Sequence, residues 1–188
     1  MTQTVSFTRM ADGTQQDYEL LEGLERAYAD GLADRLLDTL AAQTETLPGY
    51  RISRQAHALQ SATRALRDGA DEEMVVATLL HDIGDALAPF NHGAFAAAIL
   101  RPYVSERTYW IVLHHGIFQA YYYAHHLGMD RNARDRYADH PHYQATVDFC
   151  ERWDQCSFDP DYPTEPLATF APLVRAVFAR PPHAHDRT

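Results

Sequence analysis

The chain has 188 residues and a formal net charge of −10, from 16 basic and 26 acidic residues, and 46% of it is hydrophobic. This length and apolar content predict a single domain over residues 1–180, followed by a disordered tail over residues 181–188. The acidic balance argues against nucleic-acid or anionic-membrane binding. Every basic residue is Arg, which excludes any mechanism that needs a lysine.

The sequence contains neither a transmembrane span nor the apolar core of a secretion signal. Two cysteines, Cys150 and Cys156, cannot form a disulfide scaffold, which fits a reducing compartment. We therefore expect a cytoplasmic protein without a membrane partner.

Apolar residues recur at helical spacing through nearly the whole chain, and no stretch shows the sustained alternation of a strand. The predicted N-caps Ser53, Asp71 and Ser105, together with Gly or Pro breaks, divide the chain into helices. These helices cover about residues 17–43, 53–67, 72–87, 92–100, 105–127, 141–156 and 166–179. The connections are short, so the sequence predicts an all-α fold, a helical bundle with antiparallel neighbours.

The sharpest motif is the adjacent pair His81-Asp82, which lies in the apolar stretch Leu79–Ile83 of a predicted helix. A buried carboxylate is costly unless a cation compensates its charge, and a metal ion would do so. Taken alone, the pair is equally compatible with a His–Asp contact at a helix end that binds no metal.

Other candidate ligands lie on different predicted helices, as in metal sites that helical bundles build from facing helices. They are His57, His92, one of the pair His114-His115, and Asp154. Imidazole and carboxylate groups suit Fe, Mn, Zn or Co, so the ligand types leave the metal open.

The order of these residues resembles the HD-domain superfamily, over roughly His57 to Asp154. The resemblance implies that one metal ion is held by His57, His81, Asp82 and Asp154. It further implies that Asp82, the catalytic bridging residue, reaches a second ion held by His92 and His115. Two ions on this set would keep open coordination positions, which catalysis requires.

Dinuclear members of this superfamily are either phosphohydrolases or mixed-valent diiron oxygenases. The small size and the segments His57-Ala58-Leu59-Gln60 and Arg152-Trp153-Asp154 resemble the oxygenases that cleave phosphonates. In that branch a Lys stands four residues after the ligand His. His115 fits this spacing, with Gln119 in place of the Lys, and His114 does not. The resemblance implies two Fe ions, Fe(II)/Fe(III), with O2 as co-substrate.

A second departure from that branch is Asp85, where relatives carry His or Lys after His-Asp-x-Gly. Asp85 follows Asp82 by three residues, so we expect it on the same helix face and in the pocket. There it would repel a phosphate and attract a cationic group; the alternative is a carboxylate that faces solvent at a helix end. Aromatic residues around His115, Tyr121–Tyr123 among them, suit a quaternary ammonium or ordinary core packing.

Together these features resemble HD oxygenases that cleave the C–P bond of a 1-hydroxy-2-ammonioethylphosphonate. The specific expectation is conversion of (R)-1-hydroxy-2-(trimethylammonio)ethylphosphonate to glycine betaine and phosphate. This small organophosphonate is the expected partner. Its candidate contacts are Asp85, Asn91 and Gln119, with Arg101, Arg131 or Arg134 in place of the missing lysine.

In the same branch a tyrosine can occupy the open iron position until substrate displaces it. Tyr28 or Tyr50 could have this role, and either could equally be structural. Two other functions stay open for the chain. One is a dinuclear metal phosphohydrolase that acts on a small phosphate ester or nucleotide, although the usual cation after His-Asp-x-Gly is absent. The other is a silent HD domain, which the full set of six candidate ligands disfavours.

Overall fold

A computed structural model of the chain describes residues 3–45 and 49–183. The described part contains eight α-helices and no strand. They are α1 Gln15–Asp30, α2 Leu32–Ala42, α3 Arg54–Arg67, α4 Glu72–Leu80, α5 His92–Leu100, α6 Glu106–Gln119, α7 Tyr143–Phe149 and α8 Leu167–Phe178. The predicted all-α fold is confirmed.

Three helices begin at the side-chain caps that the sequence predicts. Ser53, Asp71 and Ser105 each accept a hydrogen bond from a main-chain N–H three residues further on, at 3.1, 2.8 and 3.3 Å. Such caps satisfy one of the N–H groups that a helix start leaves without a partner. Pro166 likewise precedes the first turn of α8.

Four predicted helices are shorter in the structure or are interrupted, and the one over 141–156 is described with the site below. The helix expected over 17–43 breaks at Gly31 into α1 and α2, and glycine has the lowest helix propensity of any residue except proline. The helix expected to reach about residue 87 ends at Leu80 and continues as a series of turns. The helix expected to reach Leu127 ends at Gln119, and two short 3-10 segments follow.

Helices α2 to α8 all contribute to the core, and α4 is its central helix. All residues from Met74 to Leu80 are buried, as expected for a helix that is apolar on every side. The turn after α4 packs tightly against α5. A Cβ on Gly84 would lie only 2.9 Å from the ring of Phe95. The end of α4 therefore delivers His81-Asp82 into the interior.

Helix α1 lies outside this core, since Asp17 is its one buried residue. At the other end, the His183 main-chain N–H donates to the Pro102 carbonyl at 2.9 Å. Of the expected tail, residues 181–183 are thus held against the chain, and residues 184–188 lie outside the described part. No described helix combines the length and apolarity needed to cross a membrane.

Candidate metal centre

Six side chains from five segments of the bundle meet in one cluster. Five of them are buried, and His92 is half-buried. They lie on α3, in the turn after α4, at the start of α5, on α6 and after α7. They are His57, His81, Asp82, His92, His115 and Asp154. Two groups of donor atoms close enough to hold a metal ion lie within this set, and a third is formed by Asp82 and His92 with Asp85.

The carboxylate of Asp82 divides the cluster into two sets. Its Oδ2 lies 3.5 Å from Nε2 of both His57 and His81. Its Oδ1 lies 3.4 Å from Nε2 of His92 and 3.2 Å from Nε2 of His115. Asp82 is therefore placed to donate one oxygen to each set.

The spacing of the donor atoms fits ligands around an ion. Ligands that are about 2.1 Å from a common ion lie about 3.0–3.4 Å apart in octahedral or tetrahedral geometry. Nε2 of His57 lies 3.3 Å from Nε2 of His81 and 3.4 Å from Oδ1 of Asp154, whereas Nε2 of His81 lies somewhat further from that oxygen, at 3.7 Å. In the other set, Nε2 of His92 lies 3.2 Å from Nε2 of His115.

Main-chain carbonyls fix the orientation of three imidazoles. Because a carbonyl only accepts, each Nδ1 must carry a proton, and Nε2 is the nitrogen that faces the cluster. The Nδ1–H groups of His57, His81 and His115 donate to the carbonyls of Ser157, Thr78 and Val112 at 2.9, 2.7 and 2.7 Å. Neutral imidazoles with exposed Nε2 lone pairs are the form that binds a metal.

Asp154 reaches the cluster from a local irregularity that the sequence did not predict. Instead of one helix over 141–156, α7 ends at Phe149 and a π-helical turn, Cys150–Asp154, follows. The Gln155 N–H donates to the Cys150 carbonyl at 2.9 Å, and such insertions are frequent at functional sites. Oδ1 of Asp154 accepts from Gln119 at 3.0 Å, whereas its buried Oδ2 has no described hydrogen-bond donor. A cation would satisfy this oxygen.

The charges of the cluster depend on one another. Burial disfavours charged imidazoles, but the carboxylates of Asp82 and Asp154 outweigh it and raise the pKa of His57 and His81. Burial also disfavours both carboxylates, and the imidazoles nevertheless hold the pKa of Asp82 and Asp154 below the ordinary value. A metal ion would replace these protons and neutralise the same carboxylates.

A cavity of about 390 Å³ opens beside the cluster. Its walls include four of the six cluster residues, the aromatic residues Tyr50, Tyr122, Tyr123 and Phe158, and the polar residues Arg54 and Gln119. A larger cavity of about 620 Å³ lies between α1, α2 and α8, but none of the six cluster residues lines it. The smaller cavity is therefore the one that matters for chemistry at the cluster.

The structure separates the predicted substrate contacts into two groups. Gln119 and Tyr50 line the cavity. Tyr28 is 68% exposed on α1, where its ring packs against Arg35 at 3.8 Å. Asn91 is exposed before α5 and borders a different depression. Neither Tyr28 nor Asn91 lines this cavity, although His92, next to Asn91, does.

Asp85 occupies neither of its two expected environments. Its side chain is 7% exposed and does not line the cavity. Oδ2 lies 2.7 Å from Nε of Arg54, and Oδ1 lies 3.1 Å from Nδ1 of His92; neither pair is aligned as a hydrogen bond. Burial and the charge of Asp82 raise the pKa of Asp85, and Arg54 opposes this rise. The expected repulsion of a phosphate is therefore countered by Arg54.

The cation at the cavity is one that sequence reasoning missed. Arg131 and Arg134 pack on the ring of Tyr121 at 4.1 and 3.7 Å, and neither lines the cavity. Arg101 lies over Tyr109 instead. Arg54 does line the cavity, and its position one helical turn before His57 was the available signal.

His114 and His115 point in different directions from α6. His115 meets Asp82, whereas the His114 Nδ1–H donates to the Trp110 carbonyl at 3.0 Å and the ring stacks on Trp110 at 4.1 Å. The structure therefore brings His115 into the cluster and leaves His114 among aromatic rings.

Fold and site together define an all-α protein with a buried His/Asp cluster that could hold a metal ion. Neither the models of known protein families nor the curated proteins provide a match to the chain. The case for a function therefore rests on the cluster and its cavity.

Proposed function

We propose that the chain is an HD-domain diiron oxygenase that cleaves the C–P bond of a 1-hydroxy-2-ammonioethylphosphonate. The expected reaction converts (R)-1-hydroxy-2-(trimethylammonio)ethylphosphonate and O2 to glycine betaine and phosphate. The C–P bond breaks, one oxygen atom enters the carboxylate and the other enters the phosphate, so no further reductant is consumed. The observation that carries the proposal is the division of the Asp82 oxygens between two sets of imidazoles.

The two sets would supply the ligands of two ions. One ion would be held by His57, His81, Asp82 and Asp154, and the other by Asp82, His92 and His115. The smaller ligand set leaves room for substrate, as in catalytic metal sites. When bound, iron would supply an O2-reactive centre and a Lewis acid for the hydroxyl and phosphonate oxygens.

Aromatic side chains in the cavity support a quaternary ammonium as the head group. Tyr50, Phe158, Tyr122 and Tyr123 line it, and Tyr50 stacks on Phe158, which stacks on His57. A trimethylammonium group has no N–H to donate, so aromatic faces are its natural partners. The aromatic side chains, and not Asp85, support this head group, because Arg54 already pairs with the Asp85 carboxylate.

A dinuclear phosphohydrolase is the second candidate, and Arg54 is the observation that favours it. The expected cation after His-Asp-x-Gly is absent, but Arg54 supplies a cation to the same cavity. A phosphate ester could use this charge without any oxidation.

Phosphate release from (R)-1-hydroxy-2-(trimethylammonio)ethylphosphonate by iron-reconstituted protein, in air and under argon, tests the proposal. We expect phosphate and glycine betaine in equal amounts with O2, and neither product under argon. Absence of phosphate in air would overturn the proposed oxygenase activity. Release of phosphate from esters under argon, with Mn or Co, would establish the hydrolase instead.

A further inference from the structure

Arg54 is held between two carboxylates at the edge of the cavity. Its Nε lies 2.7 Å from Oδ2 of Asp85, and its Nη1 lies 3.5 Å from Oδ2 of Asp82. Its guanidinium carbon also lies 4.9 Å from the centre of the Tyr50 ring. The side chain is 19% exposed, so a flexible residue is confined in one place beside the cluster.

Asp85 connects this arginine to one of the metal-binding imidazoles. While Oδ2 faces Arg54, Oδ1 lies 3.1 Å from Nδ1 of His92, whose Nε2 faces Asp82. A carboxylate at Nδ1 fixes the tautomer and the ring orientation of a metal-binding histidine. His57, His81 and His115 have carbonyls at Nδ1, and at His92 this place is taken by Asp85, whose Oδ1 lies within reach but is not aligned as a hydrogen bond.

We propose that Arg54 is the anion-binding residue of the cavity and that Asp85 is a positioning residue that couples it to His92. This inference rests on the proposed function insofar as the anion is the phosphonate of the substrate. A guanidinium has five N–H donors. Asp85 faces Nε, and metal ions would neutralise Asp82, so the terminal nitrogens become available for two phosphonate oxygens in a bidentate contact.

The arrangement also suits an arginine better than a lysine at this position. A lysine is a flexible point charge, whereas a guanidinium held by Asp85 and Tyr50 loses little further freedom when it binds an anion. Arg54 comes from α3, the helix that carries His57, and Asp85 comes from the turn that carries Asp82. The anion site is thus built on the same segments as the metal ligands.

Binding of methylphosphonate to Zn²⁺-loaded protein, followed by 31P NMR with metal content measured in parallel, tests the role of Arg54. We expect Arg54→Gln to retain two Zn²⁺ and to weaken binding about tenfold or more, and Arg54→Lys to give an intermediate affinity. Arg35→Gln is the matched control, since Arg35 also packs on a tyrosine but lies outside the cavity. Wild-type protein that binds no methylphosphonate, or an Arg54→Gln variant that binds like wild type, would overturn the assignment.

Asp85→Asn tests the coupling. We expect it to weaken methylphosphonate binding and to lower the affinity for one of the two Zn²⁺ ions about 10–100-fold, as loss of a carboxylate partner does at other metal-bound histidines. A variant that retains both affinities would contradict the positioning role. Since neither readout needs iron, O2 or turnover, failure of the oxygenase reaction would leave these results intact, and the reverse also holds.

Discussion

Oδ1 of Asp82 lies 3.2 Å from Nε2 of His115, although 33 residues separate them in the chain. The other oxygen of the same carboxylate faces the imidazoles of His57 and His81. A single side chain thus links helix α6 to α3 and to the end of α4. Loss of this carboxylate removes a donor from both ligand sets at once, whereas loss of one imidazole affects a single set.

Asp82→Ala should therefore abolish binding of both ions. We expect two metal ions per wild-type chain after iron reconstitution and fewer than one in the variant, measured by elemental analysis. Asp38→Ala removes an exposed carboxylate from α2 and should retain both ions. An Asp82→Ala protein that still binds two ions would show that the ligands lie elsewhere.

His115 and His114 are adjacent on α6, so a His114 variant is the control for a His115 variant. His115→Ala should lose the ion of the His92 set and retain the other. His114→Ala should retain both and lose about 0.5–1.5 kcal/mol of unfolding free energy, since its ring stacks on Trp110. Metal content and urea unfolding measure the two effects. Equal metal loss in both variants would contradict the placement of His115 inside the cluster and of His114 outside it.

The sequence predicted the helices, their caps and the six residues of the His/Asp cluster better than the contacts around them. Ser53, Asp71 and Ser105 were recognisable because a cap acts within one helical turn. Asp85 was misplaced because its expected direction assumed that α4 continues, and α4 ends at Leu80. The partnership of Asp85 with Arg54 depends on the path of that turn, which no local pattern in the sequence encodes.

Close packing of α5 against α6 gives a prediction at Gly93. A Cβ there would lie 3.1 Å from Cε1 of His115 and 3.2 Å from the Val112 carbonyl, the acceptor of the His115 Nδ1–H. Gly93→Ala should displace the imidazole and weaken binding of the ion in the His92 set about tenfold. Zn²⁺ titration would show one weakened ion and one unchanged ion.

Gly116→Ala is the control for this crowding. Gly116 follows His115 directly, but a Cβ on it would have no atom within 4 Å. We expect unchanged Zn²⁺ affinities and an unfolding free energy higher by about 0.5–1 kcal/mol, because alanine is a better helix former than glycine. Weakened binding in Gly116→Ala and not in Gly93→Ala would refute the proposed contact.

A network around Asp17 gives a prediction for the start of α1. Its carboxylate accepts hydrogen bonds from the main-chain N–H groups of Ser6 and Thr14, at 2.8 and 2.9 Å, and from both hydroxyl groups. The Thr14 and Ser6 donors hold the pKa of Asp17 well below its ordinary value of 3.8. A lowered pKa in the folded state means that the ionised carboxylate stabilises this segment.

That stabilisation is present above about pH 4 and is lost as the pH falls through the lowered pKa of the folded state. Asp17→Asn should therefore reduce hydrogen-exchange protection of the first turns of α1 at pH 7, and the difference from wild type should shrink below pH 4. Because α1 lies outside the core, local opening is the sensitive readout. Glu25→Gln removes an exposed charge from the same helix and should leave these amides unchanged. A difference that grows on acidification would mean that Asp17 acts through its neutral form.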